Sequence, residues 1–405
     1  MKVLSFLGPT NYSFTKYQYK KKIVPTRFFA EALPQFFPET EKILVFVTPT
    51  VEKHNNLEEL RSRLGNLLKP VPIPESHTED AVWDIFNALI NNVGEGETVV
   101  FDITNSFRSI PFLVFIAAAF LRSVRGVKVK AVLYGAFEAR NEENTSPVFD
   151  LTPFVTLFDW LSAANQFIYT GNARYLAAQL QQQQGDALHK LAKNITDIAH
   201  GLELLRPRGV TQAAQQLPQY LNTAQAILPI PFGVVVGRVK NAYARFGLSP
   251  EASNKEHLQR QLEMINWYLE KRHYVHALSM AREWIVSLLC LEFDLDMWDK
   301  DSRSKMEFLL SGGKRTNHQT GEVEISPYRK KWMQHPHRKR IANLWQGKER
   351  GEEGREFYLA KLRNDVLHSG FRKNPETADE IIQRTESIVH EINTIAKLWG
   401  IAPQT

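Results

Sequence analysis

The residues best suited to chemistry in this 405-residue chain are Arg363, Asn364 and His368, in the run Leu359-Ala360-Lys361-Leu362-Arg363-Asn364-Asp365-Val366-Leu367-His368. Arginine grips a phosphate through two parallel hydrogen bonds from its planar fork. Histidine moves protons near neutral pH. An amide beside the arginine can orient one of the reacting groups. The combination suits metal-free cleavage of RNA, in which a ribose 2′-OH attacks the adjacent phosphate.

Those side chains need a helix to hold them. Leu359, Leu362, Val366 and Leu367 recur at helical spacing, and Gly370 and Pro375 give a stop signal. Five helical residues turn through about 140° and rise about 7.5 Å, so Arg363 and His368 face related but different directions. One copy of the helix cannot easily clamp a phosphate with both. Two copies facing each other across a homodimer can. Asp365 is expected either to pair with Arg363 or to stand in solvent. Without a setting, an Arg and a His at this spacing also describe a solvated helix face. Arg329 and His335 repeat the pattern loosely, but Pro336 argues against a helix there. His335 and His337 have no cysteine or carboxylate nearby at ligand spacing, so no metal is assigned.

The N-terminal third supplies a second group of polar side chains. Apolar runs at 3–7, 43–47, 97–103 and 127–134 read as strands buried on both faces, hence a parallel sheet. Helical patterns at 57–68, 78–91 and 110–122 alternate with them, which gives an open α/β domain. Ligands of such sheets bind beyond the carboxyl ends of the strands. There stand Thr10 and Asn11, Thr48 and Thr50, and Thr104, Asn105 and Ser106, with Arg108 at a loop that opens a helix and so favours anions. Hydroxyls, amides and one Arg suit a nucleotide with several phosphates and ribose hydroxyls. The same residue types are ordinary turn and cap formers, so it is the convergence of three loops that carries the reading. No Gly-x-Gly-x-x-Gly and no P-loop pattern occurs, which argues against dinucleotide enzymes and P-loop NTPases.

From about residue 154 the strand pattern stops. Helices are expected at 158–169, 175–198, 213–226, 234–246, 257–269 and 274–291, the Gln181–184 tract being exposed helix and the last segment a core helix. Residues 300–354 form the most basic stretch. It reads as an RNA-guiding surface, with Trp332 or Trp345 stacking bases, or as a solvated insertion. A net charge of +6 leans mildly towards an anionic partner, and 43% apolar residues argue for a folded protein. The single cysteine, Cys290, excludes a disulfide scaffold within the chain and fits a cytoplasmic setting. The longest apolar run, 110–121, is short of the roughly 20 residues that cross a bilayer, so no membrane is expected.

The segment Asp102-Ile103-Thr104-Asn105-Ser106-Phe107-Arg108 resembles the signature of CARF domains, the sensory domains of CRISPR-associated proteins, and Phe6-Leu7-Gly8-Pro9-Thr10-Asn11-Tyr12 is similar to that family's first ligand loop. Asp150-Leu151-Thr152-Pro153-Phe154, with Trp160 and Gly171-Asn172, is similar to the segment that follows CARF in the Csx1-like branch. Arg363-Asn364-Asp365-Val366-Leu367-His368 resembles the Arg-x4-His signature of HEPN ribonucleases, and residues 274–283 resemble the helix that packs beside it. The resemblance implies a Rossmann-like CARF sensor at 1–153 followed by an all-α HEPN-type region at 154–405. It implies a homodimer or higher oligomer, a type III CRISPR accessory protein whose sensor binds a cyclic oligoadenylate, with the tetra-adenylate favoured over the hexa-adenylate. Single-stranded RNA is then the substrate, leaving a 2′,3′-cyclic phosphate, with Arg363, Asn364 and His368 catalytic. Gly8, Asp102, Tyr134 and Gly135 join the polar loop residues as ligand contacts. Two other readings stay open: a non-catalytic nucleotide-sensing module, and a sensor that also degrades its own ring ligand.

Overall fold

The computed structural model describes residues 1–76, 78–106, 109–316, 322–347, 359–371 and 374–401. It divides into two compact units, Met1–Asp159 and Trp160–Thr405.

The first unit is a layered α/β domain. Its elements are β1 (Lys2–Phe6), β2 (Thr15–Tyr19), β3 (Lys22–Thr26), α1 (Phe29–Phe36), β4 (Lys42–Val47), α2 (Pro49–Glu52), α3 (Asn55–Leu64), β5 (Leu68–Pro72), α4 (Glu79–Asn91), β6 (Thr98–Asp102), α5 (Ile110–Arg125), β7 (Lys128–Gly135) and β8 (Thr145–Asp150). The strands form one eight-stranded sheet in the order β3-β2-β8-β7-β6-β1-β4-β5. The ladders β7/β6, β6/β1, β1/β4 and β4/β5 are parallel, with Phe6 opposite Phe46 and Leu4 opposite Phe101. The sheet is mixed rather than purely parallel, because β8 runs antiparallel to β7 and β3 antiparallel to β2. Alternate side chains separate into two cores. Val3, Ile43 and Val45 pack with Phe29 and Leu33, while Leu4, Phe6, Leu44 and Phe46 pack with Leu89, Val114 and Leu121.

The boundary between the units falls within α6 (Thr152–Thr170). The second unit continues with α7 (Arg174–Gln181), α8 (Asp186–Glu203), α9 (Pro207–Ile227), α10 (Ile230–Tyr243), α11 (Asn254–Glu270), α12 (Tyr274–Glu292) and α13 (Lys300–Leu310). A short hairpin of β9 (Lys314–Thr316) and β10 (Val323–Ile325) follows, then α14 (Arg329–Gln334), α15 (Arg338–Gln346), α16 (Leu359–Leu367) and α17 (Ala378–Leu398). The helix expected over 175–198 is two helices. Chain-breaking Gly185, at φ 128°, stands between α7 and α8, and the glutamine tract leaves the helix after Gln181. The central helix is α12, buried along most of its length from Ala277 to Cys290 and packed against α11, α13, α16 and α17. Cys290 is a packed hydrophobe whose thiol pKa burial pushes up to about 11.

The described part of the basic stretch is ordered as short helices around buried Trp332, Leu344 and Trp345 and an exposed hairpin. Trp332 and Trp345 are buried, which removes them as base-stacking platforms. Trp332 lies against Phe293, and Arg282 sits over the ring of Trp345. Arg340 grips Glu391 of α17, and Arg315 pairs with Glu324. His335 lies between the rings of Trp332 and Trp399, at 5.4 Å from each, and desolvation lowers its pKa.

Candidate functional site

Three parallel strands end side by side. β1 lies between β6 and β4, so the loops leaving their carboxyl ends must meet at one edge of the sheet. The chain also reverses direction across the sheet at β1, with β4 and β5 to one side and β6 and β7 to the other. Such a switch point opens a crevice between diverging connections. A cavity of about 260 Å³ lies there, and Gly8, Thr10, Thr48, Thr104, Asn105 and Ser106 line it. The remaining expected contacts lie otherwise. Asn11 is exposed and Thr50 donates its hydroxyl to Glu75 at 2.8 Å, and neither lines the cavity. Arg108 lies outside the described residues.

Asp102 is buried beneath the site. Its carboxylate accepts the Ser5 hydroxyl at 2.5 Å and the Thr104 N–H at 2.8 Å. Burial pushes its pKa up to about 6, against the lowering effect of those hydrogen bonds. Asp102 therefore shapes the loop from below. Thr104 accepts the Gly135 N–H at 2.8 Å and so ties β7 to the same loop. Gly135 is required by packing: a Cβ there would stand 2.8 Å from the rings of both Phe29 and Tyr17. The Tyr134 hydroxyl donates to Glu138.

Two residues absent from the expected set hold the first loop. The Tyr12 hydroxyl accepts the Gly8 N–H at 2.7 Å and itself lines the cavity. Asn56, buried on α3, donates to the carbonyls of Gly8 at 3.1 Å and Thr10 at 2.9 Å. Tyr12 stood in the quoted loop and its phenol was a readable signal. Asn56 is 46 residues from Thr10, and no local pattern announces it. In the apolar floor, Phe6 and Phe46 were read only as strand core, and Ile73 lies in no element the sequence suggested.

The second group lies in the helical unit. Leu359 and Leu362 are buried and fix α16 against α12 and α15, as the apolar spacing requires. Arg363 is half-buried, and its guanidinium donates to the Asn364 side-chain oxygen at 3.1 Å. Its Nε is buried without a hydrogen-bond partner among the described residues. His368 follows the last helical residue, with its backbone N–H still bonded to the Asn364 carbonyl at 3.0 Å, and its side chain is exposed. Ser369 and Gly370 then take positive φ and end the helix. Asp365 is neither solvated nor turned to Arg363. It is buried, and its carboxylate accepts the Glu376 N–H at 3.4 Å, tying α16 to the start of α17. Among the described residues no cluster of three or more His, Cys, Asp or Glu stands at metal-ligand spacing, and no helix is long and apolar enough to cross a membrane.

A mixed sheet with a polar crevice at its switch point, followed in sequence by a helical unit, defines a two-part protein. Comparison with known proteins gives the class. Residues 2–138 match the model of the CARF domain of CRISPR system endoribonuclease Csx1, and residues 156–247 match that of the second domain of CRISPR-associated protein MJ1674. The first unit thus carries a CARF domain similar to that of Csx1, and the segment after it is similar to the second domain of MJ1674. The CRISPR-associated protein MJ1674 of Methanocaldococcus jannaschii is 33% identical over 118 residues, 28% of this chain, and the match spans 19% of that relative's length. The solved structure of Enterococcus italicus Csm6 bound to cyclic hexa-2′-fluoro-hexa-dAMP aligns over 100% of this chain and 95% of its own, at 10% identity and a TM-score of 0.45. Both family models end before the Arg363–His368 motif.

Proposed function

We propose that the protein is a metal-independent endoribonuclease of CRISPR defence, switched on when its CARF domain binds a cyclic oligoadenylate. The observation that carries the reading is the pairing, in one chain, of a CARF-domain crevice with a helix end presenting Arg363, Asn364 and an exposed His368. Threonine hydroxyls and the amide of Asn105 offer donors and acceptors to ribose and phosphate in that crevice.

The chemistry follows from the residue types. Arg363 holds the scissile phosphate and stabilises the charge that develops on it. His368 shuttles protons between the attacking 2′-OH and the departing 5′ oxygen, so the product carries a 2′,3′-cyclic phosphate. Asn364, bonded to the guanidinium, fixes its direction. Because Arg363 and His368 leave the helix in different directions, the working site combines two copies of α16 in a homodimer. A ring ligand with two-fold symmetry suits such a dimer.

The test is cleavage of single-stranded RNA with cyclic tetra-adenylate, with cyclic hexa-adenylate and with neither. Wild type should cut only with a ring present, and EDTA should not stop it. Arg363→Ala and His368→Ala should each lower the rate by at least about 100-fold while binding the ring as wild type does. Cutting that survives both substitutions, or that ignores the ring, would sink the proposal.

A further inference from the structure

A second cavity among the described residues plays no part in that mechanism. It lies wholly in the helical unit, where the start of α7 and the last turns of α8 meet the junction of α11 and α12, and it holds about 750 Å³. That falls within the range of small-molecule sites. Gly171, Ala173, Ala177, Ala178 and Ala199 line it with small side chains, which is why the space exists. The shape is maintained from behind. Gly171 adopts φ 78° and lies so close to Trp267 that a Cβ would approach the indole to 2.7 Å. The Tyr268 hydroxyl is anchored on the Leu202 carbonyl at 2.5 Å.

The polar lining is unusual for a structural gap. His200, His273, His276 and Arg174 all border it, against the single carboxylate of Glu203. His273 Nε2 lies 3.1 Å from the Thr170 carbonyl, and His276 Nε2 lies 3.1 Å from the Glu203 carbonyl. A carbonyl oxygen only accepts, so each Nε2 carries the hydrogen. Each Nδ1 is left without a partner among the described residues, able to accept a hydrogen bond or, once protonated, to donate one. The rings are fixed in place: His276 stacks on Tyr268 at 5.3 Å, and His273 lies 5.7 Å from His276. Arg174 is exposed, and its guanidinium makes no hydrogen bond or ion pair among the described residues. The group is therefore an uncommitted cation, two oriented imidazoles and one carboxylate around an empty space.

We propose that this cavity is a nucleotide-binding site, distinct from the crevice at the sheet edge. Arg174 takes the phosphate, and an imidazole joins it only when its Nδ1 also carries a hydrogen; the neutral rings accept from ribose or base N–H and O–H groups. The Glu203 carboxylate accepts from ribose hydroxyls, and the imidazole rings give the base a flat surface. A free mononucleotide and the terminal nucleotide of an RNA chain present the same chemistry.

The experiment is calorimetric titration of the full-length protein with adenosine 5′-monophosphate, with adenosine, and with a 5′-phosphorylated tri-adenylate RNA. Two variants are compared with wild type. Arg174→Ala removes the uncommitted cation, and Ala178→Phe fills the space from an exposed position on α7. Wild type should bind the monophosphate at least about tenfold more tightly than adenosine. Both variants should weaken that binding about tenfold or more, equivalent to about 1.4 kcal/mol, with unchanged unliganded melting temperatures. Binding of the monophosphate alone assigns the site to free nucleotides, and tighter binding of the tri-adenylate assigns it to RNA ends. Absence of binding at millimolar monophosphate, or binding that survives both variants but falls with Asn105→Ala at the sheet edge, overturns the assignment.

Discussion

Asp102 shapes the crevice at the sheet edge from beneath, through its bonds to Ser5 and Thr104, without lining it. Its carboxyl group is fully buried, and burial raises its pKa from 3.8 to about 6. The folded state therefore binds more protons than the unfolded state between those values, and stability attributable to this group falls as pH rises through that window. Above about pH 6 the buried charge costs roughly 3 kcal/mol relative to the protonated form. Asp102→Asn keeps an acceptor for the Thr104 N–H and removes the charge. We expect its stability relative to wild type, from denaturant titrations at pH 4.5 to 8, to climb between pH 4.5 and about 6.5 and then level off. A difference that does not change with pH would show that Asp102 does not titrate in this window. Gly135 makes the complementary case for packing. Gly135→Ala drives a methyl group into the rings of Phe29 and Tyr17, and overpacking of that kind costs about 1–3 kcal/mol. A melting temperature equal to that of wild type would contradict this.

The polar residues that follow β1, β4 and β6 were legible because hydroxyls and amides stood directly after buried strands. Gly8, Thr10, Thr48, Thr104, Asn105 and Ser106 do line the crevice, whereas Asp102, Thr50, Tyr134 and Gly135 are engaged elsewhere. Sequence position cannot tell a side chain that faces a crevice from one already tied to its neighbours. The strands divide in the same way. Central β1, β4, β6 and β7 read as continuous apolar runs. β2, β3, β5 and β8 did not, and three of these carry proline, Pro25 in β3, Pro70 and Pro72 in β5 and Pro147 in β8, which interrupts a strand pattern. Asn56 shows what spacing could never reveal. A single amide on α3 holds two carbonyls of the first loop from 46 or more positions away. Asn56→Ala leaves both carbonyls short of a donor at a cost of roughly 1–3 kcal/mol. Because the loop forms one wall of the crevice, the variant should also need more cyclic oligoadenylate for half-maximal RNA cutting, with the maximal rate unchanged. An unchanged activation curve would mean that the loop keeps its shape without Asn56.

At the scale of the whole molecule, the first unit carries a surface that a lone subunit has no reason to expose. The buried side of α5 packs Val114, Ala117, Ala118 and Leu121 into the core. Its other side presents Phe112 at 75% exposure, Ile116 at 59% and Val124 at 61%, with Trp83 of neighbouring α4 at 57%. Phe112, Ile116 and Val124 are four and eight residues apart, so they form one stripe. A helix that is apolar all round is normally covered on every side, and a contiguous patch of this kind marks an interaction surface. The proposed mechanism needs two subunits to assemble one cleavage site, and we propose this stripe as the centre of their interface. Phe112→Glu combined with Ile116→Glu places two like charges at that centre on each subunit without disturbing the buried side. We expect the double variant to elute as a monomer in light-scattering chromatography, to keep the helical signal of wild type in circular dichroism, and to lose RNA cutting with or without the ring ligand. If it stays dimeric and cuts as wild type does, the interface lies elsewhere. If it becomes monomeric and still cuts, one copy of α16 suffices, and the composite site built from two copies of Arg363 and His368 must be abandoned.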